Sequence, residues 1–199
     1  MSQVAKDTAK QNQTANGTLI AVVGPSGVGK DSLMDIARQH FAGRDDLRFV
    51  RRVITRAEDA VGEDHHAVTS EAFEELSKSG AFAVSWQAHG LGYGIPTDVY
   101  DDLAAGRIVI ANGSRSALDA FRTAFPQLVV VNVSARPEIL AKRLAARGRE
   151  TAADIEARLV RSSEPLPPDL HIVNIDNSGE LDLAGKELVD LIEGLFRKD

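Results

Sequence analysis

The chain has no cysteine, only one tryptophan and 5% aromatic residues overall, and fewer basic than acidic side chains. Each shortage excludes something. Without cysteine there is no disulfide framework, no thiol nucleophile and no thiolate metal site. With 23 Lys and Arg against 29 Asp and Glu, the net charge is −6, which argues against a binder of phosphate backbones, so no nucleic-acid partner is expected. No stretch approaches the ~18 apolar residues that a membrane span needs, so no membrane partner is expected either. Residues 1–16 are polar and carry neither a signal-peptide core nor an anchor; they read as a disordered lead. Together these absences point to the cytoplasm.

What remains is 199 residues with 43% hydrophobic and 26% charged content, enough for one α/β domain with insertions. Four short apolar runs, Leu19–Val23, Ile108–Ala111, Leu128–Val133 and His171–Ile175, read as buried parallel strands. Phe49–Val53 is a weaker fifth. Helical patterns lie between them. Leu33, Ile36, Ala37 and Phe41 share a face; Phe73 and Leu76 mark a helix from Ser70; Leu118, Phe121 and Phe125 mark another, stopped by Pro126. Pro137 suits a first helical position, and Leu140 and Leu144 follow it to a stop at Gly148. Thr151 caps the next helix, with Asp154 three residues on, and Leu188, Leu191, Ile192 and Leu195 line the last. Alternating strands and helices predict a parallel sheet covered on both faces. Residues 17–199 then form one domain: a core (17–54 and 97–199), an inserted lobe at about 55–96 and a lid at about 143–161.

The stretch that carries chemistry is Gly24-Pro25-Ser26-Gly27-Val28-Gly29-Lys30-Asp31-Ser32, set between an apolar run and a helical pattern. A phosphate-binding loop needs that context. Glycines let backbone N–H groups curl around a phosphate, and the helix that follows turns its positive end to the same spot. Lys30 can reach the β- and γ-phosphates of ATP. The position after the lysine is normally Ser or Thr, a Mg²⁺ ligand; here it is Asp31, with Ser32 behind it. Asp31 either ligates the metal together with Ser32 or merely caps the helix N-terminus, where acids are favoured.

These residues resemble the phosphate loop of the guanylate kinase family. The likeness continues through Thr55-Arg56, Gly62-Glu63, Gly90-x-x-Tyr93-Gly94, Arg143-Leu144-x-x-Arg147-Gly148-Arg149 and Ala157-Arg158-Leu159. It implies a P-loop NTPase fold with a substrate lobe and an arginine-bearing lid. The base-reading groups of that family are missing. Ser85 stands where a base-directed Glu would be, Ile95-Pro96 replace Thr-Ser, and Ala111–Arg115 replace Asp-x-Asp. Glu58-Asp59-Ala60 stand at a second phosphate-binding arginine, and His65 replaces a tyrosine. A buried base robbed of its partners loses roughly 10⁴-fold in discrimination, so the lobe is built for another acceptor.

A fuller resemblance is to the ribose 1,5-bisphosphate phosphokinase family. It rests on Gly-Pro-Ser-Gly-x-Gly-Lys-Asp-Ser, Arg52-Val-Ile-Thr-Arg56, Gly62-Glu-Asp-His65-His66, Ser85-Trp86-x-Ala88-His89-Gly90, Asn112-Gly-Ser-Arg115 and Arg147-Gly-Arg149-Glu150. That resemblance implies transfer from ATP–Mg²⁺ to ribose 1,5-bisphosphate, giving 5-phosphoribosyl 1-diphosphate during phosphonate breakdown. It implies catalytic Lys30, Asp31, Arg143, Arg147 and Arg149, and a sugar-phosphate site built from Arg52, Arg56, His65, Tyr93, Asn112, Arg115 and Arg158. Trp86 and Phe82 read as lobe core, and His65-His66 as a polar loop rather than a metal pair, because neighbouring side chains point apart. Two rivals stand beside this reading: a nucleoside monophosphate kinase, and a guanylate kinase-like binding module without catalysis. Whether copies of the chain associate stays open.

Overall fold

In the computed structural model, residues 17–57, 64–146 and 166–197 are described. The polar lead, the residues of the second helix cap at Thr151, and the lid beyond Ala146 fall outside them.

Leu19–Val23 forms β1, five apolar residues all fully buried, as a strand covered on both faces requires. It lies centrally in a five-stranded sheet of order β2-β7-β1-β8-β9, with β2 Leu47–Phe49, β7 Ile108–Asn112, β8 Leu128–Ser134 and β9 His171–Asp176. β2 and β7 pair in parallel, Leu47 opposite Ile108. Non-consecutive neighbours require crossovers, and helices follow the strands: α1 Lys30–His40, α4 Leu118–Ala124, α5 Pro137–Ala146 and α6 Leu181–Phe196. This is an α/β fold of the P-loop NTPase kind. The four strong strand expectations stand in position, each within one residue of its observed ends. However, β9 is not the buried strand expected: only Ile175 is buried, and His171, Asn174 and Asp176 are exposed, because β9 is an edge strand of this sheet.

The fifth does not. The run Phe49–Val53 breaks in two: β2 ends at Phe49, and β3 Arg52–Ile54 joins a different sheet. The Val50 N–H still bonds the Ile110 carbonyl at 2.8 Å, so the chain leaves the first sheet only at Arg51, which is exposed. The second sheet has the order β4-β3-β6-β5, with β4 His65–Ala67, β5 Phe82–Ala88 and β6 Leu91–Pro96. β5 and β6 form a hairpin that places Trp86 opposite Tyr93. Helix α2, Ser70–Lys78, starts where Thr69 accepts from the Ala72 N–H. Helix α3, Val99–Ala104, is an element the periodicity did not signal; at six residues it is too short to show one.

The chain divides into two compact units, Met1–Ala21 with Arg44–Val129, and Val22–Gly43 with Val130–Asp199. Within the first, Asp102 of α3 is buried and paired by Arg48 at 2.5 Å and Arg107 at 2.7 Å, which compensates a carboxylate taken out of water. Within the second, α1 packs on α6. A Cβ on Gly185 would lie 2.7 Å from Ile36 Cδ1, so a larger residue there would require the end of that side chain to shift.

Candidate functional site

The phosphate loop belongs to the second unit. Its path depends on residues without Cβ atoms. Gly24 takes φ 150°, and a Cβ there would stand 2.4 Å from the Val133 carbonyl oxygen of β8. Gly29 takes φ 97°, in the left-handed region that other residues enter at a cost of roughly 1–2 kcal/mol, and a Cβ would stand 2.4 Å from Asn177 Nδ2. Gly29 is also the N-cap of α1, so Asp31 is a first-turn acid and not the capping residue. Lys30 Nζ donates to the carbonyls of Gly24 at 2.9 Å and Pro25 at 3.1 Å, which holds an ammonium on the loop itself. Pro25, Ser26 and Gly27 are half-buried, Val28 is fully buried, and Ser32 is exposed on the first turn of α1.

Two side chains from elsewhere in this unit reach one carbonyl of the loop. Asn177, just after β9, donates from Nδ2 to the Val28 carbonyl at 2.8 Å. Arg143 of α5 approaches the same oxygen from Nη1 at 3.4 Å. The sequence singles out Arg143 as a catalytic lid arginine, whereas here it contacts a loop carbonyl. Asn177 it does not single out, since that residue follows an apolar run inside Asp-Asn-Ser-Gly and reads there as an ordinary turn residue. Arg147, Arg149 and Arg158 lie outside the described residues.

The donor set of this loop suits a triphosphate and its Mg²⁺. Left-handed glycines, a helix N-terminus and a lysine favour phosphate oxygens. Asp31 and Ser32 supply hard oxygens. Among the described residues no group of three or more His, Asp or Glu is placed to hold a metal by itself. Mg²⁺ does not need such a cage, since it usually takes one or two protein oxygens, the substrate phosphates and water.

The expected acceptor residues that are described belong to the first unit, and the second sheet carries three of them, Arg52, His65 and Tyr93, with Arg56 two residues beyond β3. Arg52 on β3 is buried, with its guanidinium carbon 4.8 Å from the Tyr93 ring centre and 5.5 Å from that of Trp86. The two rings stack at 5.4 Å and 10°. An arginine over such faces is held by cation–π attraction. Trp86 also meets Phe121 of α4 at 5.9 Å, and Phe82 stacks on Phe73 at 4.8 Å, so both read as lobe packing. Tyr93 has one face occupied by this stack.

Arg56 follows β3 in a segment tied down by Thr55, whose hydroxyl accepts from the Gly92 N–H at 2.8 Å. His65 is not in a loop, as the sequence suggested, but on β4, where pairing with β3 sets it opposite Arg52. It is 2% exposed, while His66 is exposed, so the two rings do point apart. His65 Nε2 lies 3.2 Å from the Arg56 carbonyl, which can only accept, so Nε2 carries the proton. Arg56 is thereby fixed at its backbone. Its Nε and Nη2 are buried with no hydrogen-bond partner among the described residues. Such groups need an explanation, and an anionic ligand is one. Asn112 ends β7 in the core, and Arg115 starts the 3₁₀ turn after it.

No protein-family model matches the chain. It is 52% identical over 180 residues to a ribose 1,5-bisphosphate phosphokinase PhnN of Rhizobium etli, covering 90% of this chain and 91% of that one. It is 55% identical over 175 residues to the protein of the same name in Agrobacterium fabrum, covering 88% and 96%. Among solved structures, the guanylate kinase of Anaplasma phagocytophilum superposes with a TM-score of 0.65 at 16% identity, covering 89% of this chain and 85% of that one; this is a likeness of fold. No helix among the described residues is long and apolar enough to cross a membrane.

Proposed function

This chain belongs to the ribose 1,5-bisphosphate phosphokinase PhnN family, and from that premise we propose that it moves the γ-phosphoryl group of ATP onto ribose 1,5-bisphosphate. An oxygen of the 1-phosphate forms a bond to the γ-phosphorus while the bond to the β,γ-bridging oxygen breaks. The products are ADP and 5-phosphoribosyl 1-diphosphate, an intermediate of phosphonate breakdown. The reaction belongs in the cytoplasm, where ATP and sugar phosphates are kept.

The observation that carries the reading is the loop: Gly29 in the left-handed region and Lys30 anchored on the Gly24 and Pro25 carbonyls. Loop N–H groups and the α1 N-terminus bind the ATP phosphates, and the Lys30 ammonium offsets charge as the phosphoryl group departs. Asp31 and Ser32 would hold Mg²⁺, which when bound neutralises charge on the phosphate oxygens. Arg147 and Arg149 add positive charge at the transferring group. Arg52, Arg56, Arg115 and Arg158 bind the two acceptor phosphates, with Arg favoured for its bidentate fork. His65 acts by holding Arg56, and Tyr93 and Asn112 line the same acceptor site.

The test is product identification. Purified protein is incubated with ATP and Mg²⁺ and either ribose 1,5-bisphosphate or GMP, and phosphorus NMR follows the products. The expected result is a new diphosphate on the sugar and no GDP. GDP formation with no sugar diphosphate would replace this reading by a nucleotide kinase.

A further inference from the structure

We infer that Asn177 is a positioning residue for ATP binding, one that orients the Gly29 N–H of the phosphate loop through the Val28 carbonyl. The inference rests on the loop being the ATP site. Asn177 is 1% exposed and lies one residue beyond β9. Its own N–H donates to the Ser134 carbonyl at the end of β8, at 2.8 Å. Its backbone is therefore fixed to a neighbouring strand, and its side chain reaches the loop from a rigid base.

The side-chain amide can sit only one way round. Nδ2 donates to the Val28 carbonyl at 2.8 Å; the flipped amide would set Oδ1 against that oxygen, and two acceptors repel. In this orientation Oδ1 is buried with no hydrogen-bond partner among the described residues. An unmatched buried oxygen costs stability, which a small apolar side chain would avoid. The compensating feature is the grip on Val28.

That grip has a geometric consequence. The described chain has no cis peptide, so the Val28 C=O and the Gly29 N–H point in opposite directions across one plane. With the carbonyl turned toward Asn177, the Gly29 N–H must face away from it, and we take that face as the one offered to a phosphate. If the carbonyl were released, the plane could rotate and set an oxygen where a phosphate needs a donor. The same contact explains why position 29 has no side chain, since a Cβ would overlap Asn177 Nδ2 at 2.4 Å. Arg143 adds a second, longer contact to the Val28 oxygen at 3.4 Å, so the carbonyl is held from two elements.

The experiment compares the wild type with Asn177→Ala and Asn177→Ser. Neither variant is charged, and neither reaches Val28, since the serine hydroxyl stops a bond short. ATP binding with Mg²⁺ is measured by calorimetry on folded protein, the acceptor KM by steady-state kinetics, and the melting temperature without ligands. Either variant that folds is expected to bind ATP at least about tenfold more weakly while the acceptor KM moves less than about twofold. A folded variant with wild-type ATP affinity and only a lowered melting temperature would show that Asn177 merely packs, and would overturn the inference. Equal weakening of both substrates would overturn it too. A wild type that binds ATP but makes no sugar diphosphate would sink the proposed acceptor and leave the Asn177 comparison to be decided by ATP affinity. A wild type that binds no ATP would remove both.

Discussion

The groups proposed to hold ATP and those proposed to hold its acceptor are built differently. Around Gly24–Lys30 they are backbone N–H groups of the loop, a helix N-terminus and one lysine. Around Arg52 and Arg56 they are side chains, supported by partners from β4, β5 and β6. A backbone site is demanding at each position, because one Cβ at Gly24 or Gly29 would overlap its neighbour at 2.4 Å. A side-chain site distributes the work, so its members can change one at a time and alter specificity without destroying the fold. The chain shares its fold with a guanylate kinase at 16% identity.

The largest expected effect breaks the loop. Lys30→Ala removes the only side-chain cation of the nine-residue loop motif and frees the carbonyls of Gly24 and Pro25. Turnover should fall by roughly 10²- to 10³-fold, in the range seen when a principal electrostatic stabiliser of a transition state is deleted. Circular dichroism and melting should stay close to wild type. A folded variant that keeps near-normal turnover would show that the loop is not the donor site.

The second effect is smaller and selective. Arg56→Ala removes the two buried guanidinium nitrogens that have no hydrogen-bond partner among the described residues. Hydrogen bonds to charged groups contribute about 1.5–3 kcal/mol, so the acceptor KM should rise roughly 10- to 100-fold. The ATP KM should stay within about twofold of wild type. If both constants rose together, the separation of donor from acceptor groups would fail. An unchanged acceptor KM would leave the buried nitrogens of Arg56 without a function.

The same contrast explains what could be read from the residues in order. The loop was legible because its determinants are contiguous: the glycine spacing, the apolar run before it and the helical face after it all sit within Leu19–Phe41. β1 was legible to the residue for the same reason. Phe49–Val53 was misread because an apolar run does not say which sheet each half joins; the switch at Val50 and Arg51 depends on Ile110, some sixty residues away. His65 reads as a loop residue in the sequence since a three-residue strand has no periodicity of its own, and its place on β4 comes from pairing with Arg52. Asn177 left no signal. Its role requires β9 to end under a loop about 150 residues earlier in the chain.

The smallest expected effect sharpens the comparison by testing a supporting residue rather than a contacting one. Trp86 and Tyr93 meet because the β5–β6 hairpin pairs them directly, and their near-parallel rings present faces to Arg52 at 5.5 and 4.8 Å. Cation–π contacts contribute about 0.5–2 kcal/mol, more as they are desolvated, and Arg52 is buried. Trp86→Leu keeps an apolar side chain in the lobe but removes one of the two faces. The Arg52 guanidinium should then sample more orientations, and the acceptor KM should rise roughly 2- to 10-fold with little change for ATP. Trp86→Phe restores a π-face of smaller area and should recover most of the loss, a rescue that simple cavity formation would not give, because phenylalanine and leucine fill similar volumes. Trp86 is also the only tryptophan, so in the wild type its fluorescence should change on adding ribose 1,5-bisphosphate. Equal acceptor KM values for the Leu and Phe variants, with no fluorescence response in the wild type, would reduce the stack to lobe packing and remove Arg52 from the acceptor site.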